Sequence, residues 1–378
     1  MSKWFFLKNK YKQNKPGKNS GLAEGMKKRL VLMFAVSLLS VCFLAGCAPK
    51  ETETMAKANE AMAAGDYEKA VELYDAAIAE EKQLQACYRG KGIALMSKLE
   101  YESAEECFSK ALESATLIEK NFYHDGMEND IRRYLASCYI HLGEPEKAIL
   151  IYDALIASDD KDVTLLTERG TAKAATKDLE SAKADFDKAI NMDRRNYAMI
   201  LEIAQTLNKY GGRDIGTAYL ADVSSLKGNQ IDPVLKGKIL YFLKDYEGAL
   251  ELLKPFAETD DLAAAITCKC YIALGETDTA KDLIYSLGDR ANASPDLLNI
   301  LGSICMKQRR YKDATKVYER AIKAAEGTPA MQDLLFNRAV AYEYWGKFDT
   351  ARDLFAEYVR QYSGDKLAVR ELQFLNTR

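Results

Sequence analysis

The chain has 378 residues, of which 48% are hydrophobic and 29% are charged. This composition excludes a disordered or fibrous protein, and its abundant Ala, Glu, Lys and Leu favour helices. Residues 1–46 carry 9 of the 53 basic residues and 1 of the 56 acidic ones. The rest of the chain has 44 basic and 55 acidic residues, a net charge of −11, which argues against a nucleic-acid partner.

A lipoprotein signal peptide is predicted over residues 26–46. Met26 precedes three basic residues, and sixteen uncharged residues follow from Leu30 to Ala45. That apolar run is shorter than the roughly 20 residues of a membrane-spanning helix. It ends in Leu-Ala-Gly followed by Cys47, which resembles the lipobox of bacterial lipoproteins. The resemblance implies cleavage before Cys47 and lipidation of its sulfur, with an uncleaved membrane anchor as the alternative.

The remaining boundaries follow from composition. Residues 1–25 are Lys-rich and precede a complete signal, so we expect a wrongly assigned start or a cytoplasmic extension. Residues 47–53 form a short tether. A repeated pattern then occupies residues 54–363, and an amphipathic stretch within 364–378 predicts a helix that covers its end.

The repeated pattern is a turn, a bulky residue, a charge and then Ala, as in Gly-Asp-Tyr-Glu-Lys-Ala at 65–70. An Ala lies three residues after each aligned turn residue, and a large apolar or aromatic residue lies four further on in eight of nine copies. Asp222, four residues after Ala218, is the exception. The aligned turn residues are Tyr67, Tyr101, Pro145, Leu179, Ile215, Tyr246, Thr277, Tyr311 and Phe348, spaced by 31 to 44 residues.

Each unit predicts two antiparallel helices that cross closely at the Ala. One pair cannot bury its apolar stripe alone, so neighbouring pairs must stack. Three helix starts carry a capping residue before Pro, at Asp232-Pro233, Ser294-Pro295 and Thr328-Pro329.

The pattern resembles the tetratricopeptide repeat, a helix–turn–helix family with 34-residue units. The resemblance implies an all-α solenoid of about nine repeats with a C-terminal capping helix. Two regions depart from the regular spacing. The 31-residue units around 229–293 predict shorter helices or tighter turns, and about ten extra residues near Thr116–Asn129 predict longer helices or a projecting loop.

Catalytic motifs are not found in the sequence. It has two histidines, His124 and His141, and neither an HExxH motif nor a phosphate-binding glycine loop. The Ser158–Lys161 match to S-x-x-K lies in an acidic linker without supporting motifs. We therefore expect a protein that is not an enzyme and uses no metal, cofactor or small-molecule substrate. The six cysteines after Cys47 lie in apolar helical patterns, which predicts buried free thiols.

The resemblance also implies a concave groove lined by the first helix of each repeat. Five of the residues that it places there are basic, although the chain is acidic; simple solvated side chains are the alternative reading. The clamp by which some family members hold a terminal carboxylate is broken at Met55, Gly90 and Tyr134, so that activity is not carried over. The candidate groove residues are Asn59, Arg89, Arg133, His141, Tyr210, Lys238, Tyr241, Lys269, Asn299, Lys307 and Tyr344.

These observations predict a lipid-anchored protein that binds an unidentified protein or peptide at the bacterial cell envelope, outside the cytoplasm. The first alternative is an accessory or scaffold subunit of an envelope enzyme or transport machine. A hydrolase acting on envelope material is the second alternative, and the motif search does not favour it.

Overall fold

A computed structural model describes residues 51–114, 126–226, 230–325, 328 and 330–377. Regular structure in these segments is helical throughout, which confirms the all-α solenoid. Residues 1–46, Cys47 and His124 lie outside the described part, as do residues 116–125 of the predicted insertion. In the described segments no helix is both long and apolar enough to cross a bilayer.

Nine helix pairs follow one another along the described segments. They are α1 (Glu53–Ala63) with α2 (Tyr67–Ala79), α3 (Leu84–Ser97) with α4 (Tyr101–Glu113), α5 (Gly126–Leu142) with α6 (Pro145–Ser158), α7 (Val163–Ala175) with α8 (Leu179–Met192), α9 (Tyr197–Tyr210) with α10 (Arg213–Ser225), α11 (Pro233–Leu243) with α12 (Tyr246–Leu253), α13 (Asp261–Leu274) with α14 (Thr277–Ser286), then, after the short α15 (Asp289–Ala293), α16 (Pro295–Lys307) with α17 (Tyr311–Ala324), and α18 (Met331–Tyr344) with α19 (Phe348–Gln361). A final helix, α20 (Lys366–Leu375), packs on α19 and buries Ala368 and Leu375.

Polar side chains cap many of these helices. Asp66 accepts a hydrogen bond from the Lys69 amide, 3.1 Å away, at the start of α2. Asp232 and Ser294 cap α11 and α16, as predicted. The prediction at Thr328 is wrong: α18 begins at Met331, and the Thr328 hydroxyl instead donates to the carbonyl of Ala325, 2.8 Å away.

The second helices share one buried small residue and one buried large residue. The eight aligned alanines outside the fifth repeat are all completely buried, as are the large residues four positions later. The large residue lies against a small residue of the first helix in the same repeat. In the eighth repeat, for example, a Cβ added to Gly302 would lie 2.5 Å from the Tyr318 ring. The predicted close crossing at the Ala is therefore present.

The fifth repeat was aligned two residues too late. Its second helix α10 begins at Arg213, so Gly216 lies at the crossing and Leu220 fills the large position. Ala218 and Asp222, which the sequence pattern assigned to these positions, are exposed. A Cβ on Gly216 would come within 2.8 Å of the Ala204 carbonyl oxygen. The alignment failed because it used Ala as its marker where this repeat uses Gly.

The sixth and seventh repeats have shorter helices, as their spacing predicted. The α12 helix has 8 residues and passes into a 3-10 turn over Lys254–Phe256. Pro255 lies in that turn and lacks the backbone N–H that a continuing helix would use. The α14 helix has 10 residues and ends before Gly288, whose φ of 54° suits a residue without a side chain.

The last repeat contacts the first two repeats, so the superhelix closes on itself. The Gly364 amide donates to the Lys98 carbonyl at 3.3 Å, and the Ser363 hydroxyl bonds to Glu100. Arg360 lies 3.4 Å from the Glu68 carboxylate. A Cβ added to Gly364 would fall 1.8 Å from the Leu99 carbonyl oxygen, so the two backbones meet directly.

Replacing Gly216 by Leu tests the corrected alignment of the fifth repeat. The added side chain overpacks the crossing of α9 and α10, and we expect a loss of about 1–3 kcal/mol in the free energy of unfolding. Ala218→Leu, on an exposed position of the same helix, is the matched control and leaves stability unchanged. Urea denaturation followed by circular dichroism measures both variants. If only Ala218→Leu lowered the stability, Ala218 and not Gly216 would lie at the helix crossing, and the corrected alignment would be wrong.

Replacing Gly364 by Ala tests the closure. The methyl group cannot fit against Leu99, so we expect the ends to separate and the radius of gyration to rise while helicity is kept. Small-angle X-ray scattering and circular dichroism measure the two quantities. Gly126→Ala is the control, because no atom of the described residues lies within 4 Å of a Cβ there. An unchanged scattering curve for Gly364→Ala would show that the ends do not depend on this contact.

Candidate functional site

The candidate groove is one face of the first helices. Along α13 the spacing of a helix places Ala265, Lys269 and Ile272 on the same side, at about 100° per residue. The equivalent positions of each repeat lie 15, 12, 8, 5 and 4 residues before the start of its second helix. Every predicted groove residue follows this spacing except Tyr210 of the fifth repeat.

Arg89 and Arg133 are paired with carboxylates of the next repeat. Arg89 Nε donates to Asp130 Oδ2 at 2.7 Å. Arg133 Nε and Nη2 donate to the two oxygens of Glu168 at 3.0 and 2.7 Å, a bidentate pair. Burial disfavours the charged form of Arg133, but the hydrogen bonds to Glu168 outweigh it and raise its pKa. These two predicted binding residues are therefore largely neutralised by the chain itself.

The aromatic candidates lie against the first residue of a second helix. His141 stacks on Tyr101 with ring centroids 4.1 Å apart and planes 5° from parallel. Tyr344 lies 5.6 Å from the Tyr311 ring, and Tyr241 lies 5.7 Å from Tyr246. These contacts hold each of the three rings against the start of a second helix.

The two asparagine candidates hold neighbouring side chains. Asn59 accepts a hydrogen bond from the Tyr74 hydroxyl of its own repeat. Asn299 accepts one from Asn337 Nδ2 of the next repeat, 3.0 Å away. The first contact holds Asn59 within its own repeat, and the second holds Asn299 against the next repeat.

Lys238, Lys269 and Lys307 come from three consecutive first helices, α11, α13 and α16. The first two side chains are half-buried and Lys307 is exposed.

The corrected alignment adds a residue that the sequence pattern missed. In the fifth repeat Asn208 occupies the position assigned to Tyr210, and Lys209 occupies the next groove position, four residues before α10. Tyr210 packs beside Lys209. The Lys209 ammonium lies 4.7 Å from the centroid of the Tyr210 ring, and burial lowers the pKa of this amine to about 8. Gly211, with a φ of 99°, marks the end of α9 and was the signal for the correct register.

Four consecutive repeats, the fifth to the eighth, thus each contribute one lysine to the groove. They are Lys209, Lys238, Lys269 and Lys307. The second and third repeats contribute arginines that carboxylates already hold. The lysines at the groove positions therefore lie in the C-terminal half of the solenoid.

In the described segments the cysteines and acidic residues are not arranged as a metal centre. All six cysteines in the described segments are buried free thiols, and burial raises the pKa of the Cys107 thiol to about 11. Within the same segments no group of three His, Cys, Asp or Glu side chains is arranged to hold a metal ion.

Comparison with known proteins identifies the repeat. Sequence models described as tetratricopeptide repeat match residues 55–116, 89–163, 163–196 and 301–366, together more than half of the chain. Human "Tetratricopeptide repeat protein 21B" is 24% identical over 273 residues, 71% of this chain and 19% of that protein. "FK506-binding protein-like" of Mus musculus is 34% identical over 84 residues, 22% of this chain and 24% of that protein. The chain spans about a fifth to a quarter of the length of these curated relatives.

Two solved structures illustrate the range of similar folds. YrrB, described as a tetratricopeptide protein with an unusual peptide-binding site, is 20% identical, with a TM-score of 0.36 over 53% of this chain and 90% of that one. A tetratricopeptide repeat protein from Parabacteroides merdae is 19% identical, with a TM-score of 0.38 over 76% of this chain and 97% of that one.

Proposed function

The chain belongs to the tetratricopeptide repeat family, and from that premise we propose that it is a lipid-anchored protein that binds protein partners through its groove. Repeats of this family form interaction scaffolds that are typically non-catalytic. The motif search supports the same class of function.

The lysines of the fifth to eighth repeats are the observation that carries the proposal. They lie on four consecutive first helices of an otherwise acidic protein. Half-buried ammonium groups attract carboxylates more strongly than fully hydrated ones, because the local dielectric constant is lower. The preferred ligand is therefore an acidic segment or a terminal carboxylate, and several weak contacts must act together.

The spacing of the repeats suggests the pattern of acidic residues in such a ligand. Packed helices lie about 8–10 Å apart. An extended peptide advances about 3.3 Å per residue. A glutamate at every third residue would thus meet one lysine per repeat.

The anchor is proposed from the sequence around Cys47. The small residues before Cys47 follow a basic start and an uncharged run that is too short to span a bilayer. A diacylglycerol on this cysteine provides two acyl chains, and stable anchoring needs more than one. The repeats would then lie on the outer side of a bacterial membrane.

Reversing the charge of Lys238 and Lys269 tests the groove. The probe is a fluorescein-labelled peptide with a glutamate at every third residue, and a peptide with glutamine in those places is its control. We expect the Lys238→Glu/Lys269→Glu variant to bind the glutamate peptide at least tenfold more weakly at low salt. The difference shrinks as salt is added, because exposed charges are screened. Fluorescence anisotropy gives the affinities.

The matched control for that variant is Lys188→Glu/Lys316→Glu, which makes the same charge change at exposed sites on second helices. It should bind as the unaltered protein does. An equal loss of peptide affinity in both double variants would show that the net charge of the protein, and not the groove, causes the effect. No loss in the groove variant would place the partner elsewhere.

Replacing Cys47 by Ser tests the anchor independently. A serine lacks the sulfur that accepts the lipid, so we expect the variant to lose the acyl mass and to leave the membrane fraction. Intact-mass spectrometry and fractionation of the expressing bacteria report the two results. Cys87→Ser is the control, since Cys87 is a buried thiol of α3. Unmodified Cys47 in the unaltered protein would refute the anchor and leave the groove proposal standing.

A further inference from the structure

The contact between the two ends of the chain joins opposite edges of the solenoid. Lys98, Leu99 and Glu100 connect α3 to α4, at the edge where first helices end. Ser363 and Gly364 follow α19, at the edge where second helices end. The Gly364 amide donates to the Lys98 carbonyl at 3.3 Å. Since the two edges are one helix length apart, a full circuit of the chain rises by only that length, roughly 20 Å for a helix of 14 residues.

The first helices form the inner wall of this circuit. Consecutive first helices contact one another, as α7 does with α9, α11 with α13 and α13 with α16. No two consecutive second helices make a comparable contact in the described segments. Helices on the inside of a curve lie closer together than helices on the outside. The face that carries the groove residues is therefore the inner face of the circuit.

The contact between the ends closes this wall. The last second helix, α19, contacts the first one, α2. Tyr362 is only 6% exposed, and Tyr67 of the first repeat packs against the apolar cluster that contains it. A Cβ on Gly364 would lie 1.8 Å from the Leu99 carbonyl oxygen, so the backbones touch. The groove is thus a channel, which a ligand reaches through the openings above and below the ring of helices.

The number of repeats sets the width of the channel. The nine first helices of the described segments, packed about 8–10 Å apart, form a ring whose helix axes are roughly 25 Å across. Helices with their side chains are about 10–12 Å thick, so an opening of roughly 15 Å remains. One extended chain or one helix fits this opening, whereas a small folded domain, about 30 Å across, does not.

The wall offers hydrogen bonds around its whole circumference. Each repeat places a polar side chain at a groove position. One such residue from each repeat, in chain order, is Asn59, Arg89, Arg133, Thr171, Lys209, Lys238, Lys269, Lys307 and Asp333. An extended chain needs such partners, because its backbone N–H and C=O groups are not paired within the chain. A helix has already paired these groups, so the wall suits an extended ligand better.

We propose that the ligand of this channel is an acidic chain terminus, a flexible tail with a free end, and not an internal loop of a folded protein. The inference rests on the groove function proposed above and adds how the ligand enters. A free end passes through an opening and then lies along the lysines of the fifth to eighth repeats. At about 3.3 Å per residue, some six residues reach across a wall of roughly 20 Å. A short segment between two folded domains cannot enter, because neither domain passes the opening and the wall is closed.

The experiment presents one acidic sequence in two settings. In the tail form, the peptide with a glutamate at every third residue ends the chain of green fluorescent protein. In the loop form, the same sequence directly joins two green fluorescent proteins. Isothermal titration calorimetry at low salt gives the affinities. We expect the unaltered protein to bind the tail form at least tenfold more tightly than the loop form. Tail and loop forms with glutamine in place of glutamate are the controls and should bind weakly.

The possible results separate this inference from the proposed function. Equal binding of the two glutamate forms, with weak binding of the glutamine forms, would overturn the tail proposal and leave groove binding intact. If neither glutamate form bound the unaltered protein, both proposals would fail.

Opening the ring should admit the loop form. Gly364→Ala separates the ends, because its methyl group cannot fit against Leu99. We expect this variant to bind the loop form at least fivefold more tightly than the unaltered protein does, with little change for the tail form. Gly126→Ala is the matched control and should keep the preference for the tail. A ring that small-angle scattering shows to be open, but that still rejects the loop form, would contradict the proposal.

Locking the ring decides the matter if Gly364→Ala leaves it closed. Glu100→Cys/Ser363→Cys places two thiols where the native side chains already bond, and a short bis-maleimide joins them. Cys42→Ser/Cys47→Ser is added, and the other six cysteines are buried. The locked ring should keep its affinity for the tail form within about twofold of the same protein without reagent. Loss of tail binding on locking would show that the ring must open to admit a ligand, which would overturn the proposal.

Discussion

The close crossing of two helices within each repeat is the contact on which the solenoid depends. A small buried residue on the first helix and a buried Ala or Gly on the second let the backbones approach. A ring or branched side chain then fills the space one turn further on, as Tyr318 does beside Gly302. Because no pair buries its apolar stripe alone, each crossing also sets how the next pair stacks. It thereby determines which face of every first helix is turned toward the groove.

This dependence explains how far the sequence could predict the structure. The size of the residue at a helix crossing can be read from the sequence of that repeat alone. The Ala three residues after each aligned turn residue therefore predicted the starts of eight second helices correctly. In the fifth repeat Gly216 has the same role, and following Ala218 instead shifted the alignment by two residues. Two residues are about 200° around a helix. The shift therefore assigned Tyr210 to the groove position that Asn208 occupies, and it passed over Lys209 at the next groove position. The ion pairs were not predictable in the same way, since Arg89 and Asp130 are 41 residues apart and meet only through the stacking angle.

Charge is distributed over the solenoid in a way that composition does not reveal. The arginines of the second and third repeats are held by carboxylates of the following repeats. The lysines of the fifth to eighth repeats lie along the groove, and the carboxylates of the sixth and seventh repeats collect on the opposite side of α13. One helix thus separates two surfaces of opposite charge, with Lys269 on one side and Thr267 on the other.

The closure between the ends of the chain limits how the groove can adapt to a ligand. The exposed pair of Arg360 and Glu68 contributes little, as surface ion pairs do. The stronger constraint is the direct approach of Gly364 to the Leu99 backbone, together with Tyr67, which packs against the C-terminal cluster that contains Tyr362. Widening the groove would expose this apolar surface to water, which opposes opening. Ligand affinity is therefore linked to the closure of the chain. If a partner needs a wider groove, its binding free energy is reduced by the free energy that separating the two ends costs.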